Sequence, residues 1–142
     1  MKIERVTEAS PDLVAAIAEL VPQLTSSLPP TAAELEELLA ADLTHLLVAR
    51  NDAGAIVGSL TFVMYRKPTG LDALIEDVVV DAAARGQGVG EALVLEAQRI
   101  ARESGVKDIW LTSRSERVAA NRLYQRLGFE RRETNVYVWR PR

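Results

Sequence analysis

The order of apolar and polar positions predicts a strand and two helices in the first 40 residues. Residues 2–6 alternate charged and apolar side chains, and this period of two predicts a short strand. Ser10 and the proline after it are typical of the start of a helix, which we expect to run to about Leu20. Thr31 and Glu34 have the spacing of a capping box, so a second helix is expected after a proline-containing connection.

The middle of the chain predicts three strands joined by tight turns. The apolar segments at about 45–51, 55–65 and 73–80 are rich in β-branched and large apolar side chains. Asn-Asp-Ala-Gly at 51–54 separates the first two segments, and Arg-Lys-Pro-Thr-Gly at 66–70 separates the second and third. Since such residues favour turns, the first two segments are expected to form a hairpin.

The second half of the chain predicts two further helices and three further strands. In chain order these are a helix over 91–104, a strand over 108–112, a helix from about Ser115 to Leu127, and a final strand pair over 129–132 and 136–139. The two tryptophans, Trp110 and Trp139, fall in these strands and are expected to pack on the sheet. The whole pattern predicts an α/β fold in one domain, residues 1–142. We expect a mixed, mostly antiparallel twisted sheet of about six or seven strands, flanked by about four helices.

Composition narrows the chemistry that the chain can perform. The net charge of −3 with no block of like charges argues against nucleic acid as a partner. The absence of cysteine excludes disulfides, thiolate metal sites and a cysteine nucleophile. His45, the single histidine, rules out a histidine-rich zinc site and is expected at the surface or the edge of the core. No metal is expected.

The N-terminal residues and the hydropathy pattern bear on location. Met1 to Arg5 lack the apolar core of a signal peptide, and no run of 18 apolar residues occurs. We therefore expect a cytoplasmic protein without a membrane partner.

A glycine-spaced turn between a strand and a helix is the most informative pattern in the chain. Gly86, Gly88 and Gly90 follow the apolar residues 78–80 and precede an amphipathic helix. Backbone N–H groups at such a helix start bind phosphate, and glycine lets a pyrophosphate approach the backbone. No Gly-Lys-Ser/Thr follows, and the spacing differs from the dinucleotide-binding motif. The turn predicts a phosphate-bearing cofactor, and a turn that serves only packing remains the alternative.

Two motifs in this order resemble the GNAT (GCN5-related) N-acetyltransferase superfamily. Arg-x-x-Gly-x-Gly over residues 85–90 is similar to the acyl-CoA-binding motif of that superfamily. Ala-x-x-x-Tyr-x-x-x-Gly-Phe over residues 120–129 resembles its second signature, and the strand 75–80 resembles its central strand. The resemblance covers residues 2–140 and is strongest over 75–130, so the chain is identified as a member.

The resemblance implies that acetyl-CoA binds along the central strand and the glycine turn. Backbone groups of the strand would pair with the pantetheine arm, and amides of the turn would hold the pyrophosphate. Many relatives carry an asparagine seven residues before the tyrosine, where this chain has Arg117, so Asn121 is the candidate substitute. The cofactor-binding residues implied are Val78, Val79, Val80, Arg85, Gly86, Gln87, Gly88, Val89, Gly90, Glu91 and Asn121.

The resemblance also implies an acid and a base. Tyr124 would protonate the departing thiolate, and the pKa of a phenol, about 10, is close enough to that of a thiol, about 8.5, for a proton to pass between them. Glu76 would take the proton of the acceptor amine, with Asp77 as the second candidate. Tyr124 as a packing residue and Glu76 as a residue that only orients the amine stay open. Strand alternation places Glu76 and Asp77 on opposite faces unless a bulge intervenes.

The function expected from these residues is N-acetylation by direct transfer from acetyl-CoA to a primary amine, because no cysteine is available for an acyl-enzyme. The acceptor is expected to be a small molecule: an amino sugar, polyamine, aminophosphonate, amino acid or antibiotic. Acetylation of a protein lysine or N-terminus, and acyl-CoA binding without turnover, are the alternatives. The last strand pair, with Tyr137 and Trp139, leaves both a homodimer and a monomer open.

Overall fold

A computed structural model of the chain describes residues 1–142 and groups them into two compact units, residues 1–112 and 113–142. The strands are β1 (Lys2–Val6), β2 (Thr44–Arg50), β3 (Ile56–Lys67), β4 (Gly70–Val80) and β5 (Ile109–Trp110). The helices are α1 (Pro11–Leu24), α2 (Ala32–Ala40), a short 3₁₀ turn (Ala82–Ala84), α3 (Val89–Ser104) and α4 (Val118–Arg126). All but α4 belong to the first unit.

The five strands form one mixed sheet in the order β1-β2-β3-β4-β5. The first four strands pair antiparallel, each with the next along the chain. The fifth pairs parallel with β4, since α3 carries the chain back across the sheet between them. The sheet is therefore mixed and mostly antiparallel, as the sequence predicts, but it has five strands rather than six or seven.

The helices of the first unit cover both faces of the sheet. Leu13 and Ile17 of α1 and Leu35 of α2 pack with Leu46 and Val48, which share one face of β2. On the opposite face the first turns of α3 lie against β3. The largest side chains buried in this unit are Phe62, Leu13, Leu47, Leu60 and Leu93.

Helix α1 is longer than the sequence predicts. Ser10 caps it as expected, with its Oγ accepting from the Leu13 N–H at 3.2 Å, but the helix continues through Pro22 to Leu24. A proline inside a helix removes one backbone hydrogen bond, which is why the sequence favoured an end near Leu20. Tertiary packing of the buried Leu20 and side-chain bonds of the last turn hold the extra turn in place. The capping box of α2 is confirmed.

A buried carboxylate of β4 contacts side chains from the end of β3 and from β5. Asp72 has no exposed surface, accepts a hydrogen bond from the Trp110 Nε1–H at 3.1 Å, and pairs with Lys67 at 2.8 Å. Its pKa lies below the usual range, because the Lys67 ammonium and then the Trp110 N–H favour the ionised form against the effect of burial. Trp110 therefore fixes the two paired residues of β5 against β4.

Residues 113–142 form one helix and an extended segment. The sequence predicts a helix start at Ser115 or a neighbour, and the N-cap of α4 is Arg117, whose side chain makes no capping bond. No strand occurs after α4, so the predicted strands over 129–132 and 136–139 are wrong for this structure. Their apolar alternation is that of a strand, but no neighbouring segment pairs with it, and a strand needs a hydrogen-bonded partner. Trp139 is 83% exposed and packs on no sheet, contrary to expectation.

None of the helices combines the length and the apolar character needed to cross a lipid bilayer.

Candidate active site

A bulge in β4 lies where the chain approaches the glycine turn. The pairing between β3 and β4 shifts there, so that Leu60 alone opposes both Asp77 and Val78. Asp77 has a φ of 51°, the one positive φ at a non-glycine residue. At this bulge, Glu76 and Asp77 are both exposed. The structure thus leaves both candidate bases accessible.

The edge of β4 facing β5 is open beyond the middle of the strand. Strand pairing with β5 covers only Ala73 and Leu74. From there to Val80, β4 has a strand partner on the β3 side alone. The N–H of Asp81 donates to the Val57 carbonyl of β3 at 2.8 Å. Since successive N–H groups of a strand point in opposite directions, the N–H of Val80 points to the open edge. This edge can pair with an extended ligand.

The glycine turn follows directly. Gly86 and Gly88 have φ values of 77° and 79°, and Gly88 is the N-cap of α3. A side-chain carbon built at either glycine meets no atom within 4 Å, so the space in front of the turn is open. The first intrahelical bond of α3 runs from the Ala92 N–H to the Gly88 carbonyl at 3.0 Å. The amides of Val89 and Gly90 precede this bond in the first turn and form the positive end of the helix dipole.

The predicted cofactor-binding residues of this unit fall on one continuous stretch from the open edge to the first turn of α3. Those fully exposed are Arg85, Gly86, Gln87 and Gly88; those half-buried are Val78, Val80, Gly90 and Glu91; and those buried are Val79 and Val89. The buried valines contribute backbone groups only, because their side chains lie in the core. The stretch supplies mainly backbone donors, and its charged side chains are those of Arg85 and Glu91.

Gly58 is a residue of the site region that the sequence reading missed. A side-chain carbon there would lie 2.8 Å from Val89 Cγ1 and 3.2 Å from the Val79 carbonyl oxygen. Glycine at this position therefore lets the first turn of α3 approach β3 closely. An isolated glycine inside a strand signals such an approach, so the sequence did contain a sign of it.

Tyr124, on α4 in the second unit, is 94% buried, with 6% of its surface exposed. Its ring meets Phe129 edge to face, with the centroids 5.9 Å apart. Burial raises the pKa of the phenol above its usual value, and the positive charge of Arg117 opposes this in part. The hydroxyl therefore carries its proton at neutral pH and can donate it.

Asn121 is held by the turn that precedes α4. Its Nδ2 donates to the Arg114 carbonyl at 2.9 Å and to the Arg117 carbonyl at 2.8 Å. Both amide protons are used in these bonds, so Oδ1 is the atom that remains to accept from a ligand. The side chain thus has a local structural role that the sequence did not suggest.

Two other expectations concern residues outside this stretch. His45 is half-buried on β2 and meets Phe62 edge to face at 6.3 Å, so its predicted place at the edge of the core is confirmed. No group of three or more histidine, cysteine, aspartate or glutamate side chains is arranged to hold a metal ion.

Comparison with known proteins identifies the family. The model of the acetyltransferase (GNAT) family matches residues 13–129. A glucosamine 6-phosphate N-acetyltransferase of Trypanosoma brucei brucei is 34% identical over 125 residues, which are 83% of each chain. Glucosamine 6-phosphate N-acetyltransferase 1 of Oryza sativa subsp. japonica is 39% identical over 95 residues, covering 61% of this chain and 58% of its own.

A solved structure agrees with these relatives. The crystal structure of an acetyltransferase from Trypanosoma brucei superimposes with a TM-score of 0.79 at 27% identity, over 96% of this chain and 97% of that one. The open edge of β4, the glycine turn and these matches lead to one conclusion: the chain belongs to the GNAT family and is an N-acetyltransferase.

Proposed function

We propose that this protein transfers the acetyl group of acetyl-CoA to the primary amine of a small amino sugar. The observation that carries the proposal is the open edge of β4 running into the glycine turn at the start of α3. An extended thioester arm that ends in a pyrophosphate needs a strand edge and a cluster of N–H donors in this order.

Backbone groups of Val78 to Val80 are proposed to pair with the pantetheine arm. The amides from Gly86 to Glu91 are proposed to hold the pyrophosphate. The open space at Gly86 and Gly88, where a side-chain carbon meets no atom within 4 Å, supports this proposal. Oδ1 of Asn121 is proposed to accept from the arm. An N–H group at the β4 bulge is proposed to stabilise the negative charge that develops on the thioester oxygen.

The transfer requires proton movements at the nitrogen and at the sulfur. The ammonium of the acceptor first gives a proton to the Glu76 carboxylate, directly or through a water, and the freed amine attacks the thioester carbon. A C–N bond forms, the C–S bond breaks, and the second proton lost by the nitrogen passes to water. The proton of the Tyr124 hydroxyl goes to the departing thiolate, and solvent later restores it.

The acceptor is inferred from two observations. Relatives similar over most of this chain are named for glucosamine 6-phosphate, an amino sugar. The exposed carboxylates of Glu76 and Asp77 at the bulge suit a substrate that arrives as a cation, because ammonium is the form in which a free primary amine exists at neutral pH. The two carboxylates account for the choice of an amine but not for a phosphate on the sugar.

An assay of thiol release from acetyl-CoA tests the proposal. The panel contains glucosamine 6-phosphate, glucosamine, a polyamine, an aminophosphonate and a lysine peptide. We expect release that depends on an amino sugar and exceeds release with the other amines. Release with only the lysine peptide would contradict the small-molecule assignment. No release with any amine, while acetyl-CoA still raises the melting temperature, would contradict the amino-sugar assignment and favour acyl-CoA binding without turnover.

The base is tested with a matched pair of variants. Glu76→Gln removes the proposed base, and Asp77→Asn changes its neighbour to another residue that tolerates a positive φ. We expect Glu76→Gln to lower kcat most at low pH, where the acceptor amine is mainly protonated, and Asp77→Asn to leave the pH profile unchanged. The reverse result would assign the base to Asp77.

Two further predictions from the sequence are kept as proposals. A homodimer could form through the segment 136–139, where Tyr137 is 87% exposed and Trp139 is 83% exposed. Sedimentation equilibrium of the wild type and of Trp139→Lys tests this proposal. A monomeric wild type would refute it.

The proposed cytoplasmic location is tested by cell fractionation.

A further inference from the structure

Gln23, in the last turn of α1, makes hydrogen bonds to the start of the cofactor turn. Its Nε2 donates to Asp81 Oδ1 at 3.2 Å, and its Oε1 accepts from the Ala82 N–H at 2.9 Å. The partners are 58 and 59 residues away in the sequence. One amide side chain thus uses its donor and its acceptor on two successive residues, an arrangement that we call the Gln23 clasp.

The clasp completes the 3₁₀ turn that leads to the glycine turn. Asp81 is the N-cap residue of that turn, yet its carboxylate makes no capping bond. The N–H of Ala82 is among the first donors of the turn, which have no acceptor within it. Gln23 supplies that acceptor from α1. Ala84, two residues on, is buried, and Gly86 follows two residues after that. The clasp therefore fixes the backbone from which the glycine turn departs.

Gln23 is also next to the end of α1, where the connection between α1 and α2 begins. Residues 25–31 of this connection have no regular helix or strand, and Leu28 within it is 91% exposed. Pro22 lies inside the last turn of α1 and has no N–H, so this turn has one backbone bond fewer. Gln23 Nε2 also donates to the Glu19 carbonyl at 3.2 Å. Side-chain bonds of Gln23 therefore hold the turn from which the connection departs.

We propose that Gln23 is a positioning residue that couples the α1–α2 connection to the turn that binds acetyl-CoA. This rests on the proposed function, because the glycine turn must be the donor site. A donor substrate that orders the glycine turn also orders Asp81 and Ala82, and through Gln23 it orders the last turn of α1 and the connection. The coupling is reciprocal: whatever fixes the connection strengthens donor binding by the same factor.

Exchanging the donor and the acceptor between residues 23 and 81 tests whether these hydrogen bonds affect donor binding. In Gln23→Glu, a second carboxylate faces Asp81, and we expect the Kd of acetyl-CoA measured by calorimetry to rise about 10-fold. In Gln23→Glu/Asp81→Asn, the new amide at 81 can donate to the carboxylate at 23, which still accepts from the Ala82 N–H. We expect the double variant to return to within about threefold of the wild type. Asp81→Asn alone keeps an acceptor for Gln23, and Glu19→Gln is an exposed control on the same helix; both should match the wild type.

Hydrogen exchange read by mass spectrometry tests the coupling itself. We expect acetyl-CoA to slow exchange of the amides in residues 23–28 of the wild type and of the double variant, but not of Gln23→Glu at a saturating concentration. Equal protection in Gln23→Glu, or no rescue by the second substitution, would overturn the inference. A wild type that binds acetyl-CoA without protecting these amides would overturn the inference alone. A wild type that does not bind acetyl-CoA would overturn the proposed function and the inference with it.

Discussion

Tyr124 combines a buried ring with a hydroxyl whose pKa is raised by that burial. A phenol that is protonated at neutral pH can act as an acid but not as a base, and this is the protonation state that the role implied by the resemblance requires. An ordinary phenol is already protonated at neutral pH, and burial shifts the pKa in the same direction.

Removal of this hydroxyl should affect turnover far more than binding. We expect Tyr124→Phe to lower kcat about 10²- to 10⁴-fold while the Kd of acetyl-CoA changes less than about threefold. Phenylalanine retains the edge-to-face contact with Phe129, so the fold should persist. Phe129→Leu is the control, since it removes the ring contact and keeps the hydroxyl. Equal kcat values for Tyr124→Phe and the wild type would show that Tyr124 only packs.

His45 makes the stability depend on pH in a predictable direction. Burial, and then the charge of Arg5, lower its pKa below the ordinary value of about 6.5. The unfolded chain then binds more protons than the folded chain just below pH 6.5. The free energy of unfolding should therefore fall as the pH drops below about 6.5. Because the chain has one histidine, its proton NMR titration is unambiguous, and an apparent pKa above 6.5 would contradict this prediction.

Glu76 and Asp77 show the limit of prediction at this scale. Both residues could be selected from the sequence, and strand alternation alone would have separated them. The bulge at which both are exposed depends on how β3 pairs with β4, and this pairing depends on residues from two strands. No pattern local to residues 76 and 77 encodes it.

Among the elements, α3 is the one that the sequence describes best. Its amphipathic spacing and the closing Gly105 predicted residues 91–104, and the structure begins it two residues earlier. The early start depends on Gly88, whose left-handed backbone ends the turn and begins the helix. The predicted glycine turn is thus part of the helix start.

Alanine substitutions at Gly88 and Gly105 can separate the effect of backbone strain on stability from an effect on acetyl-CoA binding. They cap the two ends of α3 with φ values of 79° and 75°, and a side-chain carbon meets no atom within 4 Å at either. We expect Gly88→Ala and Gly105→Ala each to cost about 1 kcal/mol of unfolding free energy. Only Gly88→Ala should also weaken acetyl-CoA binding, by about 10-fold or more in calorimetry. Equal affinities in the two variants would remove Gly88 from the donor site.

Helix α1 and the segment after α4 show why other elements were misjudged. Pro22 is a local signal to end α1, but packing of the helix and the bonds of Gln23 come from residues far along the chain. Residues 136–139 have the local pattern of a strand but find no partner strand in the structure. Local patterns give the preference of a segment, and tertiary contacts decide whether it is realised.

For the whole molecule, the chain composition and the family predict the kinetic mechanism. The chain contains no cysteine, and the proposed roles of Tyr124 and Glu76 are proton transfers rather than acetyl transfers. We therefore expect initial rates with intersecting lines when both substrates are varied, and no stoichiometric acetylated enzyme by intact mass after incubation with acetyl-CoA alone. Parallel lines together with an acetylated chain would contradict direct transfer.

The sequence by itself determined the family, the glycine turn and the candidate acid and base, because these depend on residue types at short fixed spacings. It also determined that β2, β3 and β4 pair antiparallel, since tight turns join these strands. Tertiary structure decided the open edge of β4, the bulge beside it, the close approach at Gly58 and the clasp made by Gln23. Each of these depends on contacts between residues distant in the chain, and such contacts leave no periodic pattern in the sequence.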